Sequence, residues 1–262
     1  MTRPVFLAED LSCVPSSLAV GERATLGGSE GRHAASVRRI SAGEWVDVAD
    51  GRGLRLTCEV VGADKSSLSL VVREVVQEES PRPEIILVQA LAKGGRDEAA
   101  VEICTEIGID RVIPWASQRA IVQWRGPKAE KGRAKWEGVA RAAAKQSRRA
   151  YVPVVEAVTD SRELASWVRA LTDEAGAAFV CHEEATQSLG AALARVQGDA
   201  TDGSLPARVA LIVGPEGGIG PEETAQLVAA GARTVGLGAN VLRSSTAGAV
   251  ALTLIRAAVG AY

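Results

Sequence analysis

The residues best suited to chemistry lie in two glycine-rich stretches late in the 262-residue chain, LIVGPEGGIGPEE (211–223) and VGLGANVLRSSTAGAVAL (235–252). Gly214, Gly217, Gly218 and Gly220 in the first, and Gly236 and Gly238 in the second, let the backbone come close to a ligand. Pro221 stands where a helix would begin, with Glu222 and Glu223 in its first turn. A second helix opens near residues 244–246. Neither stretch has the phosphate-cradling GxxxxGK[ST] pattern or a full GxGxxG. Glu216 would repel a pyrophosphate, so the first loop suits a ligand with a positive centre better. From spacing alone, the same glycines are equally compatible with plain tight turns.

Both stretches need a scaffold that holds them side by side. From residue 84 onward, continuous apolar runs alternate with helical patterns: EIILVQAL (84–91), RVIPWA (111–116), AAFVCH (177–182), RVALIVG (208–214) and ARTVGLG (232–238) read as strands buried on both faces. Helices are expected at 95–107, 128–147, 161–171, 187–196, 221–230 and 245–261. Such alternation implies a parallel α/β sheet, whose ligands bind beyond the carboxyl ends of the strands. The two glycine loops, each placed directly after a strand, would then form the walls of one pocket. The last helix is apolar nearly all round and is expected to be buried. Before residue 77 the pattern is β-like, with a hairpin over 44–50 and 54–61, a third strand over 67–76, and a short helical stretch over 29–39. The charged, proline-containing stretch 77–83 reads as a linker. The expected organisation is therefore 1–76, a linker 77–83, and 84–262.

The net charge of −2 argues against a general nucleic-acid binder, but its distribution does not. Between Arg119 and Arg149 ten bases face only Glu130 and Glu137, so this segment carries +8 and the remainder −10. Concentrated positive charge displaces counterions from a phosphate backbone whatever the global sum. Trp124 and Trp136 flank the run, either as stacking surfaces or as core anchors. The longest stretch without a charged residue is twelve residues, short of the roughly 20 that cross a bilayer. The first ten residues hold no apolar signal core, so a cytoplasmic location is expected. Four dispersed cysteines and two histidines offer no clustered metal ligands, so no metal is expected.

Several motifs in order carry a resemblance. LIVGPEGG (211–218) and LGANVLRSSTA (237–247) resemble the knotted RNA methyltransferases of the SPOUT superfamily. ALAKGGRDEAAVEICTEIGI (90–109), PWASQRAIV (114–122), W-x-x-x-A…KQSRR…VP (136–153) and H-x-x-x-VRR (33–39) sharpen the match to the RsmE family, bacterial 16S ribosomal RNA uracil-1498 N3-methyltransferases. The resemblance spans nearly the whole chain and is weakest over 155–205. It implies a small PUA-like β-barrel for RNA docking, followed by a SPOUT domain with a C-terminal trefoil knot that binds S-adenosylmethionine. It also implies a homodimer acting on 16S ribosomal RNA or the 30S subunit, with no membrane partner.

On that resemblance, Val213, Gly214, Glu216, Gly217, Gly218, Leu237, Gly238, Asn240, Leu242 and Thr246 are expected to hold the cofactor. Arg243 would stabilise negative charge on a uracil that has lost its N3 proton. Lys93, Arg96, Arg119, Gln146, Ser147 and Arg149, with Arg32, His33 and Arg38 of the small domain, are expected to face RNA. The chain departs from the family pattern in three places. Asn240 stands where a basic residue is common, Ser245 where a glutamate is common, and two carboxylates are missing from 142–149. The identity of the general base stays open. A methyltransferase acting on another RNA or on a ribose 2′-hydroxyl, and a catalytically silent RNA-binding assembly protein, are the alternatives. A nucleotide-dependent oxidoreductase is disfavoured by the absent dinucleotide fingerprint.

Overall fold

The computed structural model describes residues 3–261. The chain forms two compact units: one comprises the chain up to Ser80 together with Arg141–Val152, the other Pro81–Ala140 and the chain from Pro153 onward. The division after Ser80 falls within the stretch read as a linker. Residues 141–152, read from sequence as part of the second domain, pack with the first unit.

In the first unit, strands β1 (Val5–Leu7), β2 (Arg23–Leu26), β3 (Trp45–Ala49), β4 (Leu54–Ala63) and β5 (Leu68–Gln77) form a sheet in the order β1-β3-β4-β5-β2. Only the β1–β3 pair is parallel. Inward positions of each strand, among them Phe6, Leu26, Val46, Leu56 and Leu70, build its core. The short strands β1 and β2 close the two edges and have too few residues to show a period of two in the sequence. The helix expected over 29–39 is two pieces, α1 (Gly28–Arg32) and a wider π-type turn, His33–Val37. Residues 141–152 join this unit through Tyr151, which bridges to Gly51 and Arg52. Ala150 is buried among Val5, Leu7 and Ala49.

The second unit is built on strands β6 (Glu84–Ala90), β7 (Arg111–Ala116), β8 (Val154–Val155), β9 (Thr159–Asp160), β10 (Ala177–Cys181), β11 (Arg208–Val213) and β12 (Arg233–Val235). They pair in the order β12-β10-β11-β6-β7-β8, with β9 also on β7, and every pair is parallel. The apolar runs are continuous because both faces are covered. Ile85 and Leu87 of β6 and Leu211 of β11 enter one core, with Trp136 and Ala140 of helix α3 (Pro127–Gln146) and Leu252 of α7 (Ser244–Ala258). Ile86 and Val88 enter the other, against Leu164 and Val168 of α4 (Ser161–Asp173) and Leu227 of α6 (Pro221–Ala229). Helices α2 (Arg96–Ile107) and α5 (Leu189–Asp199) complete the layer that carries α7.

Helix α7 leaves the edge strand β12 and returns to the middle of the sheet, against β6, β11 and α2. It is not buried all round as its composition suggested. Ala247, Ala251, Leu252 and Ile255 are buried, but Thr246, Thr253, Leu254 and Ala257 lie along an exposed stripe, with Leu254 at 38%. Gly108, which ends α2 in the left-handed region (φ +114°), is covered by Arg256 of α7, and a Cβ there would meet Arg256 Nη2 at 2.5 Å. The same guanidinium donates to the Gly108 carbonyl. The two tryptophans are core anchors rather than stacking surfaces: Trp136 is 1% exposed, and Trp124 meets it edge-on, with centroids 5.0 Å apart.

Candidate functional site

Because the sheet is parallel, its loops gather at the carboxyl ends of the strands, where they enclose a cleft of about 1120 Å³. One wall is the glycine loop after β11, residues 214–220, and the other is the segment 236–243 after β12. Cys181 and His182 at the end of β10, Arg96, Arg119 and Thr224 complete the lining.

The first wall is fixed at several points. Gly214 turns tightly over Ile219, and a Cβ there would lie 2.6 Å from Ile219 Cγ1. Arg119 Nη1 donates to the Gly217 carbonyl at 3.2 Å. Glu216 accepts from Arg96 Nη1 at 2.9 Å and from the Lys93 N–H at 3.2 Å. Burial raises the pKa of the Glu216 carboxyl, but its own backbone N–H and that of Lys93, together with the Arg96 guanidinium, outweigh this and hold it below the usual carboxylate range. Arg96 thus already gives Glu216 one cationic partner within the protein. At the loop's end, Glu223 is fully buried and receives the Gly220 N–H.

The second wall is hydrogen-bonded only at its root, while Leu237 and Leu242 pack half-buried against the core. The Gly236 N–H donates to the Gln187 carbonyl at 2.8 Å, and the Gly236 carbonyl accepts from the Leu189 N–H at 3.0 Å. Among the described residues, 237–242 make no hydrogen bond, and Val241 is 75% exposed. Arg243 closes this wall as the N-cap of α7. It is exposed, lines the cleft and has no ion-pair partner among the described residues. The positive end of the helix dipole adds to its charge.

Two hydroxyls near the cleft are orphaned. Thr224 Oγ1 and Ser244 Oγ are buried without a hydrogen-bond partner among the described residues, and both residues line the cleft. Unpaired buried polar atoms are uncommon and expected to meet a partner, so a ligand with hydrogen-bonding groups fits these walls. Cys181 is no nucleophile, because burial pushes its thiol up to about 12 and it stays neutral at pH 7. Among the described residues no three His, Cys, Asp or Glu side chains gather as metal ligands would.

Of the residues expected from sequence, Val213, Gly214, Glu216, Gly217, Gly218, Leu237, Gly238, Asn240, Leu242, Arg243, Arg96 and Arg119 all line this one cleft. Thr246 does not. It lies on the exposed stripe of α7, while Ser244 and Ala247, three apart on one helical face, take the inner positions. Lys93 contributes its backbone N–H and leaves its side chain exposed. Arg32, His33, Arg38, Gln146, Ser147 and Arg149 belong to the first unit. There Arg32 and Arg38 are exposed, and His33 lies edge-on to Phe6. Ser147 Oγ donates to the Ala143 carbonyl at 2.7 Å, so that hydroxyl is already partnered in its own helix.

The +8 segment is partly neutralised. Arg133 pairs with Glu130 and Glu137, Lys135 with Glu98, Arg141 with Glu9, and Lys145 with Glu30. Arg125, Lys128 and Lys131 are exposed and have no ion-pair partner among the described residues. Thr224, Ser244, His182 and Glu223 went unassigned in the sequence. Glu223 alone carried a signal, as the glutamate three positions into a helix that begins at Gly220-Pro221.

Residues 78–256 match the family described as "RNA methyltransferase domain", and residues 26–73 match "RNA methyltransferase PUA domain". The chain is 43% identical to "Ribosomal RNA small subunit methyltransferase E" of Mycobacterium tuberculosis over 88% of its own length and 85% of that protein's. It is 29% identical to the Bacillus subtilis protein of the same name over 87% of each chain. Among solved structures, the Neisseria gonorrhoeae ribosomal RNA small subunit methyltransferase E bound to S-adenosylmethionine superposes with a TM-score of 0.80 at 25% identity, over 98% of each chain.

Proposed function

This chain belongs to the ribosomal RNA small subunit methyltransferase E family, and we propose that it methylates N3 of one uridine, uracil 1498, in 16S ribosomal RNA. It is an S-adenosylmethionine-dependent RNA methyltransferase with a PUA-like domain ahead of a SPOUT-type α/β domain. The observation that carries the mechanistic reading is Arg243, a cation without a protein partner, set at a helix start on the rim of the cleft.

The cofactor supplies a methyl group on a sulfonium, an electrophile that needs no metal. The residues of the cleft divide the remaining work. Backbone groups of 213–218 and 237–242 hold the cofactor, and the orphaned hydroxyls of Thr224 and Ser244 add partners. Uracil N3–H is a weak acid whose nitrogen becomes nucleophilic only when the proton passes to solvent, so the base reacts as an anion. Arg243, beside the positive end of the α7 dipole, brings a positive charge to where that anion forms, which lowers the barrier by stabilising the developing negative charge. The N3 edge is paired inside a duplex, so the target uridine is read out of its stack.

RNA is held through Arg32, His33, Arg38, Lys93, Arg96, Gln146, Ser147 and Arg149, with Arg125, Lys128, Lys131 and Arg148 as further exposed cations of the basic run for phosphates. The resulting affinity for 30S particles falls steeply with salt. The exposed stripe of α7 supports a homodimer, and the return of α7 from the sheet edge to its centre supports a trefoil-knotted chain. A ribosomal substrate supports a cytoplasmic location. Mass-spectrometric mapping of modified nucleosides in 16S ribosomal RNA tests the reading: N3-methyluridine at that site is lost with the gene and returns with the intact protein. Its persistence without the gene overturns the assignment.

A further inference from the structure

Glu223 stands at the centre of a buried hydrogen-bond cluster that the chemistry above does not use. Its side chain is fully buried, and each carboxylate oxygen takes two donors. Oε1 accepts from the Gln118 N–H at 2.8 Å and from Ser161 Oγ at 2.5 Å. Oε2 accepts from the Gly220 N–H at 3.1 Å and from Ser117 Oγ at 3.5 Å. The cluster extends one step further, because Trp115 Nε1–H donates to Ser161 Oγ at 3.1 Å and Trp115 is itself fully buried.

One side chain thus ties together the end of the glycine loop, the turn after β7 and the start of α4. That turn is closed by the Ala120 N–H on the Ser117 carbonyl, and Arg119 stands in its middle. Arg119 reaches back to the Gly217 carbonyl. Thr224, next in sequence to Glu223, lines the cleft with its orphaned hydroxyl.

We infer that Glu223 is a positioning residue: through the Ser117–Arg119 turn it holds the Arg119 guanidinium on Gly217 and so fixes the glycine wall in its cofactor-binding form. Arg119 then serves the cofactor loop, not the RNA. The inference rests on the methyltransferase reading of the cleft and deepens it.

The chemistry of the donors makes the test specific. Glu223→Gln replaces one oxygen by an NH₂ group; the serine hydroxyl facing it can turn to accept, but the backbone N–H on the same side is left without an acceptor. Calorimetry with S-adenosylmethionine on the full chain is the readout, for Glu223→Gln, Arg119→Ala, the double variant and the exposed neighbour Glu222→Gln. Each of the first two variants is expected to weaken binding about tenfold, a shift of roughly one factor of ten in Kd. The double variant is expected to weaken it no further than the worse single one, because both act through one contact. Glu222→Gln binds as the unaltered protein does.

With RNA substrate, the loss appears in the KM for S-adenosylmethionine and leaves kcat at saturation unchanged. Additive losses, or an unchanged Kd in Glu223→Gln, overturn the inference. Should Glu223→Gln fail to fold, Glu223→Asp keeps the charge one methylene short and is expected to weaken binding severalfold. Unaltered affinity in that variant overturns the inference equally. If the unaltered protein binds no S-adenosylmethionine, it is the methyltransferase reading that falls.

Discussion

The two walls of the cleft are built on opposite plans. Residues 214–220 are anchored through Glu216 to Arg96, through Gly217 to Arg119 and through Gly220 to Glu223. Residues 237–242 make no hydrogen bond among the described residues, although their root at Gly236 is paired. The first wall is ordered before any ligand arrives and spends little further entropy on binding it. The second relies on the packing of Leu237 and Leu242 and leaves its backbone groups free for a ligand. Substitutions should therefore separate cleanly: those in the first wall change stability and cofactor affinity, and those in the second change the reaction while leaving the fold intact.

The sharpest division is expected at Arg243. Arg243→Ala should lower kcat about 10²–10³-fold, the usual cost of removing one group that stabilises a developing anion. Its thermal midpoint should stay within a degree or so, since the side chain has no ion-pair partner to lose. A large fall in midpoint would place Arg243 with the anchored wall and break the contrast. Next comes Gly214→Ala. Its new Cβ, 2.6 Å from Ile219 Cγ1, overpacks the first wall and should cost about 1–3 kcal/mol, read as a midpoint lower by several degrees.

The Arg96–Glu216 pair is partly exposed, so Arg96→Ala should cost about 0.2–1 kcal/mol at pH 7. The pH dependence has a definite sign. Glu216 titrates lower in the folded protein, so its contribution is complete above the unfolded carboxylate pKa of about 4.3 and is lost as pH falls through the lower folded value. The difference between Arg96→Ala and the unaltered protein, followed by thermal melting, should shrink below about pH 4. Smallest of all is Asn240→Arg, which restores the basic residue common in the family. On an exposed, unbonded segment it should shift stability by no more than about 0.5 kcal/mol, so that any effect appears in turnover alone.

Much of the second unit was legible because burial on both faces leaves a strong mark. The runs at 84–91, 111–116 and 208–214 became β6, β7 and β11 with little change in bounds, and the glycine loops after β11 and β12 do line one cleft. Strands β1, β2, β8 and β9 were missed because two to four residues carry no periodicity. The exposed stripe of α7 was invisible because alanine, threonine and leucine read alike on both sides of a helix. The neutralised part of the basic run went unseen for a different reason: Glu9, Glu30 and Glu98 meet Arg141, Lys145 and Lys135 only after folding. Glu223 was the costliest omission. A capping rule accounts for its bond to Gly220, but Gln118 and Ser161 lie 105 and 62 residues away, beyond any local signal.

The contact of Arg256 with Gly108 makes these two positions unequal partners in mutational history. A chain that exchanged the arginine for a small residue would clear the space above position 108, yet the backbone torsion of +114° would still exclude nearly every other amino acid there. A chain that exchanged the glycine first would have to solve torsion and collision together. Drift can therefore begin at 256 and not at 108, and sister lineages are expected to vary at the arginine while the glycine stands still.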